Sequence, residues 1–385
     1  MRVAIVTSTR ADFGILLPLI HKLEADPFFS VTILATGSHT DTVRGGTLQE
    51  IKSEGVKDLA VIDIDTSDTT EIGVAKSAAE TVEKFAFELD KLHPDLVILL
   101  GDRYEILSVA MAAFLLKIPV AHISGGDVTS GALDDSIRHS ITKLSHIHFP
   151  TTEEYRERVI QLGEQPDKVF NVGNLCIDNV KKVLPVSKAE LESFLDFDLD
   201  KFERNILVTL HPETTYGDQR VLNDIFFGAL SNLKDVGIII TYPNHDAGGD
   251  TIIESILKVK SESPHSICVR ESLGMRRYHS LLRYVDAVVG NSSSGITEVP
   301  SYGIPTIDIG SRQQGRIRAY SVINVGYESD DIQRALKLAL SDDFKHKCQE
   351  VKNPYGEGDS AEKIVNILKS IKLKGLIKKE FYDAK

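Results

Sequence analysis

The stretch Leu96-Val97-Ile98-Leu99-Leu100-Gly101-Asp102-Arg103-Tyr104-Glu105 decides the fold. Five apolar residues in succession, without polar alternation, read as a strand buried on both faces, which is what a parallel sheet covered by helices requires. The glycine and charged pair that follow end the strand. Helical periodicity then runs over Glu105–Lys117 before a second apolar run, Val120–Ile123. The same unit recurs on either side, with strand-like runs at Val3–Thr7, Val31–Ala35, Ile206–Leu210, Gly237–Thr241, Ala287–Gly290 and Thr306–Ile309. Between them lie helical patterns at Phe13–Leu23, Glu71–Leu92, Glu153–Leu162, Val221–Leu233 and Ile252–Lys260. Strand alternating with helix predicts an α/β fold.

A chain of 385 residues exceeds what one hydrophobic core serves. The alternation breaks around Val183–Ser187, and a fresh helix begins at Lys188. The expectation is therefore two doubly wound domains, 1–185 and 186–385, with the amphipathic segment Ala361–Leu373 packing back on the first. Polar residues cluster just after the strands, at Ser8–Asp12, Gly101–Arg103, Ser124–Asp127, His211–Glu213, Pro243–Asp246 and Asn291–Gly295. Open parallel sheets hold ligands outside those carboxyl ends, so two sheets facing across a cleft around one ligand is the simplest arrangement.

Apolar residues at 42% and charged residues at 26% describe a globular chain rather than a disordered or fibrous one. With 44 basic and 56 acidic side chains the formal charge is −12, which excludes a global positive field for nucleic acid or an anionic membrane. An anionic ligand must then be held by local cations. Cys176, Cys268 and Cys348 form no Cys-x-x-Cys pair, so neither a disulfide framework nor a zinc ribbon is expected. The first seven residues are too short for a signal-peptide core, and no apolar run reaches the roughly 18 residues of a membrane helix, so a cytoplasmic protein is expected.

Asn291-Ser292-Ser293-Ser294-Gly295 offers three hydroxyls and a glycine ahead of a short helix expected over Ile296–Tyr302, more than one helix cap needs, and reads as a phosphate loop. Neither Gly-x-Gly-x-x-Gly nor a Walker sequence occurs, so dinucleotide redox and NTPase chemistry lack their usual warrant. Arg10 and Arg312 each follow a strand, one in each domain, and suit a diphosphate. Glu298 either accepts from ribose hydroxyls or answers the helix dipole, and His211 is either a phosphate donor or a loop histidine. Asp102 beside Arg103 is a candidate acid or base, or else a helix cap.

The densest chemistry lies between Gly125 and His139, where Asp134 with Arg138 and Asp135 with His139 stand four apart on an expected helix. A metal set of Asp127, His139, His146 and His148 lacks any signature spacing, and no metal is expected. The Lys-rich stretch Lys372–Lys379 reads as a solvated face.

These motifs together resemble the hydrolysing UDP-N-acetylglucosamine 2-epimerases of sialic-acid and related nonulosonate synthesis. The carriers are Thr9–Gly14, Gly101–Tyr104, His122–Asp127, Asp134–Lys143, His211-Pro212, Asn291–Gly295 and Arg312-Gln313, so the likeness runs almost end to end. It implies two Rossmann-like, GT-B-like domains, homodimers or homotetramers, and no metal or nicotinamide cofactor. UDP would be held by Arg10, His211, Asn244, Ser292, Ser293, Glu298 and Arg312, with backbone near Leu273 at the uracil. Asp102, Asp127, Asp134 and Arg138, beside Arg103, would surround the sugar. Relatives usually carry Glu where this chain has Asp127. The implied activity converts UDP-N-acetylglucosamine and water to N-acetylmannosamine and UDP through a glycal. The alternative substrate is the UDP-2,4-diacetamido-2,4,6-trideoxy sugar, and the rival classes are a GT-B glycosyltransferase, a non-hydrolysing epimerase and a UDP-sugar sensor.

Overall fold

The computed structural model describes residues 1–41, 46–68, 70–129, 133–213, 218–243 and 248–383. Two compact units result, Met1–Asn179 with Tyr355–Lys385, and Val180–Pro354. The passage between them thus falls at Asn179 rather than at residue 185, and everything from Tyr355 onward belongs to the first unit.

The first unit is built on a parallel sheet of β1 (Arg2–Thr7), β2 (Ser30–Ala35), β3 (Leu59–Val61), β4 (Leu96–Leu100), β5 (Val120–Ile123) and β6 (Ile147–Phe149), in the order β3-β2-β1-β4-β5-β6. The side-chain period of two divides each strand between two cores. Val3, Ile5, Leu96 and Ile98 face one helical layer, while Ala4, Val6, Val97 and Leu99 face the other. Both faces are therefore dry, which is why Val3–Val6 and Leu96–Leu100 contain no polar residue.

The helix Ser360–Ser370 contributes Ala361, Ile364, Val365 and Leu368 to the core that it shares with Phe13, Leu16, Leu19, Ile20 and Leu23. Its first backbone N–H groups, of Ser360 and Ala361, donate to Asp178 at 3.0 and 3.2 Å. A carboxylate there satisfies donors that the helix itself cannot.

The second unit repeats the plan with β7 (Arg204–Thr209), β8 (Val236–Thr241), β9 (Ile267–Arg270), β10 (Ala287–Gly290), β11 (Thr306–Ile309) and β12 (Val322–Val325), ordered β12-β11-β10-β7-β8-β9. Counted within the unit, this is the same strand order as the first. In each sheet the order reverses between the first and fourth strands, β1 beside β4 and β7 beside β10. A crevice opens at that reversal because the flanking connections leave to opposite faces. No helix among the described residues is long and apolar enough to cross a membrane.

Candidate functional site

At the first reversal, the loop after β1 meets the loop after β4. Thr9 caps the helix Arg10–Ala25, and Asp12 returns its carboxylate to the Ser8 and Thr9 N–H groups at 2.9 and 3.0 Å. Burial works against the Asp12 charge, but His39, Thr7 and these N–H groups outweigh it and hold the carboxyl below its ordinary value. Arg10 points outward and pairs with Glu50 at 2.9 Å, both side chains well exposed. After β4, Gly101 takes a left-handed φ of +84°, and its carbonyl accepts from His122 Nε2 at 2.8 Å. Burial pushes His122 down to about 3, so it is a neutral strut on β5 rather than an acid.

Arg138 organises the carboxylates. It lies on the helix Leu133–Leu144 and is 3% exposed. Its Nε and Nη2 both donate to Oδ2 of Asp102, the former at 3.0 Å. Nη1 reaches the Asp127 carbonyl at 2.8 Å and Asp135 at 3.0 Å, and Nη2 reaches Thr129 Oγ1 at 2.7 Å. Burial disfavours the guanidinium, yet Asp102, Asp127 and Asp135 together raise its pKa further. Asp135, three residues before Arg138, pairs with it as well as with His139. Asp134 stands on the exposed side of the same first turn. His139 lies 3.6 Å from Asp135, as the spacing implied.

Asp102 does not cap a helix, because Arg103 occupies the cap position of Tyr104–Leu115 without a side-chain bond. Arg103 instead forks onto the buried Glu105 at 3.0 and 3.3 Å. Asp127 receives Thr151 Oγ1 at 3.4 Å. Of the other two histidines in the candidate metal set, His146 Nδ1 accepts from the Val120 N–H at 3.2 Å, and His148 Nε2 sits 2.9 Å from Glu164.

At the second reversal, Asn291 is the organising residue. Its side chain accepts from the His211 N–H at 2.7 Å and donates to the His211 carbonyl at 2.9 Å. Its own carbonyl accepts from Gln313 Nε2 at 2.9 Å and Arg312 Nη1 at 3.4 Å. Glu213, also buried, accepts from the Ser311 and Arg312 N–H groups at 2.9 and 3.1 Å and from Ser311 Oγ at 3.1 Å. A side chain on Gly310, whose φ is +79°, would strike that carboxylate, so the turn requires glycine. His211, Ser292 and Arg312 are thus gathered by two buried polar anchors.

The serine loop does not use its hydroxyls for capping. Ser292 holds the cap position of Ser293–Thr297 without a side-chain bond, and its Oγ lies 3.1 Å from Ser294 Oγ, which accepts from Tyr278 at 2.7 Å. The expected helix over Ile296–Tyr302 is instead that short helix followed by a tight turn, Val299–Tyr302. Glu298 therefore follows the helix, where the dipole would not favour a carboxylate. Burial pushes Glu298 up to about 7 and its neighbour His279, 3.5 Å away, down to about 4. The Leu273 side chain is buried in the core, which leaves its backbone as the part that can serve a ligand. Asn244 lies outside the described residues.

Sequence reading missed Asn291, Glu213 and Asp135 as anchors. Each stood inside a quoted motif, but nothing in residue type alone separates a group that holds a loop from one that holds a ligand.

The chain is similar to known proteins over nearly its whole length. The family model described as UDP-N-acetylglucosamine 2-epimerase matches residues 21–369. A Campylobacter jejuni GDP/UDP-N,N'-diacetylbacillosamine 2-epimerase (hydrolyzing) is 37% identical over 99% of both chains. The Escherichia coli polysialic acid biosynthesis protein P7 is 36% identical over 99% of this chain and 97% of its own. The Legionella pneumophila UDP-N,N'-diacetylbacillosamine 2-epimerase (hydrolyzing) is 32% identical over 97% and 96%. Among solved structures, the Neisseria meningitidis UDP-GlcNAc 2-epimerase bound to UDP-GlcNAc superposes with a TM-score of 0.82 at 21% identity, covering 96% of this chain and all of that one.

Proposed function

Because the chain belongs to the UDP-N-acetylglucosamine 2-epimerase family, we propose that it is a hydrolysing epimerase that converts a UDP-linked 2-acetamido sugar and water to UDP and the free 2-epimer. The observation that carries this reading is Arg138, which holds Asp102, Asp135 and the Asp127 backbone together at one strand-end crevice. The sugar belongs to this first crevice. UDP belongs to the residues that Asn291 and Glu213 anchor.

The proton on C2 of an acetamido sugar is too weakly acidic for a carboxylate alone. Departure of UDP, with the C1–O electron pair going to the diphosphate, leaves an oxocarbenium-like centre that acidifies the adjacent C–H. Arg138 grips Asp102 through Oδ2 only, so Oδ1 is open to take that proton and form the glycal. Water then adds at C1 while a proton returns to C2 from the other face, with Asp127 and Asp134 as the groups that activate water and deliver the proton. Arg10, Arg312, His211 and the N–H groups at Ser292 and Ser293 stabilise the departing charge. Glu298 takes the ribose hydroxyls, Leu273 backbone and Asn244 the remaining nucleotide contacts, and Arg103 the sugar edge.

Two sugars compete. UDP-N-acetylglucosamine is what the family resemblance implies, whereas the UDP-2,4-diacetamido-2,4,6-trideoxy sugar is favoured by the names of two relatives aligned over nearly the whole chain. We take the diacetamido sugar as the better substrate. Proton NMR in heavy water with each UDP-sugar tests both points. Free UDP with deuterium at C2 of the released epimer is expected, faster for the diacetamido sugar. An intact sugar nucleotide in both tubes overturns the proposal. A homodimer or homotetramer is expected by light scattering.

A further inference from the structure

His146 precedes β6 and so lies at the amino-terminal edge of the first sheet, away from the strand ends that carry Asp102 and Asp127. There a cavity of about 410 Å³ is walled by His146 and the carboxylates Glu164 and Glu380 with Lys372, Lys374, Lys378 and Lys379. Its size falls in the range of small-molecule pockets.

The charges in this wall are unevenly answered. Glu164 is 3% exposed and already engaged by Lys143 at 2.6 Å, Lys379 at 2.7 Å and His148 at 2.9 Å. Burial raises its pKa, but these partners outweigh burial and bring it down to about 2. Lys379 also donates to the Lys143 and Ser145 carbonyls, so it is committed to the scaffold. The side chains of Lys372, Lys374 and Lys378 make no hydrogen bond or ion pair among the described residues. All three line one concavity in which lysines outnumber the carboxylates Glu164 and Glu380, in a chain whose formal charge is −12.

His146 supplies a directed donor. It is 4% exposed, and because Nδ1 accepts from the Val120 N–H, the proton of the neutral ring sits on Nε2. Nε2 has no partner among the described residues. A buried donor left open in a wall of unpaired ammonium groups asks for an acceptor that carries several negative charges. Lysine ammonium groups suit phosphate, each meeting a different oxygen without the planar match that arginine imposes.

We propose that this cavity binds a phosphate-bearing small molecule, held by Lys372, Lys374, Lys378 and the Nε2–H of His146. The site is separate from the strand-end crevices and does not depend on what they act on.

The test titrates the full-length protein with inorganic tripolyphosphate while UDP is kept saturating, so that any nucleotide site is already filled. Thermal unfolding follows the titration in parallel with the K372A/K374A/K378A variant and with sodium chloride at matched ionic strength. A concentration-dependent rise in midpoint of a few degrees in the parent, reduced at least threefold in the variant and absent with chloride, is expected. Calorimetry under the same conditions is expected to give one ion per chain. An equal rise in the variant, or the same rise with chloride, would show an adventitious ion only and overturn the site.

Discussion

Asp102→Asn separates chemistry from scaffold. The amide keeps the size of the side chain and an oxygen for Arg138, but it cannot take a proton from carbon. In structural terms, two donors of a guanidinium lose an ionised acceptor, and a hydrogen bond to a charged group is worth about 1.5–3 kcal/mol. Asp102 is 29% exposed and Asp135 stays on Arg138, which places the loss at the lower end, about 1.5 kcal/mol. Removing a general base costs about 10²–10⁴ in rate, or about 3–5 kcal/mol of barrier. Turnover is therefore expected to fall by at least about a hundredfold while urea unfolding shifts only modestly. UDP affinity, measured by calorimetry, is expected to stay unchanged, because no nucleotide contact is assigned to Asp102. Near-full turnover by the variant would refute the assignment, and so would a loss of UDP affinity that matches the loss of rate.

Three further outcomes follow from the same geometry. Arg138→Lys offers three donors in place of five and cannot span Asp102, Asp135, Thr129 and the Asp127 carbonyl together, so kcat should fall more than tenfold with KM little changed; recovery of full kcat would contradict it. Glu213→Ala releases the Ser311 and Arg312 N–H groups and should raise KM for the UDP-sugar several-fold, whereas Glu213→Gln keeps an oxygen for both N–H groups and should restore most of the affinity. Glu298, raised from 4.5 to about 7, makes the fold less stable as pH rises across that window, while His279, lowered from 6.5 to about 4, makes it less stable as pH falls across its own. Between about 4.5 and 6.5 the two slopes oppose each other, so Glu298→Gln should gain stability relative to the parent as pH rises from 4.5 to 7, and His279→Asn should gain relative to the parent as pH falls from 6.5 to 4. Urea midpoints across that range that run parallel for all three proteins would contradict both shifts.

The strands with continuous apolar runs are legible in the sequence because burial on both faces leaves no alternative composition. Leu96–Leu100 is buried at every position. The edge strands β3 and β12 are not, since Leu59-Ala60-Val61 is short, Val322–Val325 is broken by Asn324, and both are only partly covered. The same contrast holds at the sites. Residues placed by a single strand end, such as Asp102, Ser292 and Arg312, can be read from their position after an apolar run. That Asp135 reaches Arg138 cannot, because neighbouring positions differ by about 100° around a helix and the guanidinium's direction depends on where Asp102 arrives from β4. The tail departs in part from its expected solvated face: Lys379 is fastened to Glu164, a contact between distant parts of the chain that no local pattern announces.

Residues of the first unit lie on both sides of the second, which is contained between Asn179 and Tyr355. During synthesis the first unit has all its strands translated before the second begins, yet it lacks Ser360–Ser370, the helix that shares a core with Phe13, Leu16 and Leu23. Its half-built core therefore stays open to solvent for as long as the inserted unit takes to be made. A chaperone that recognises that uncovered helix face would act on the first part translated and release it last.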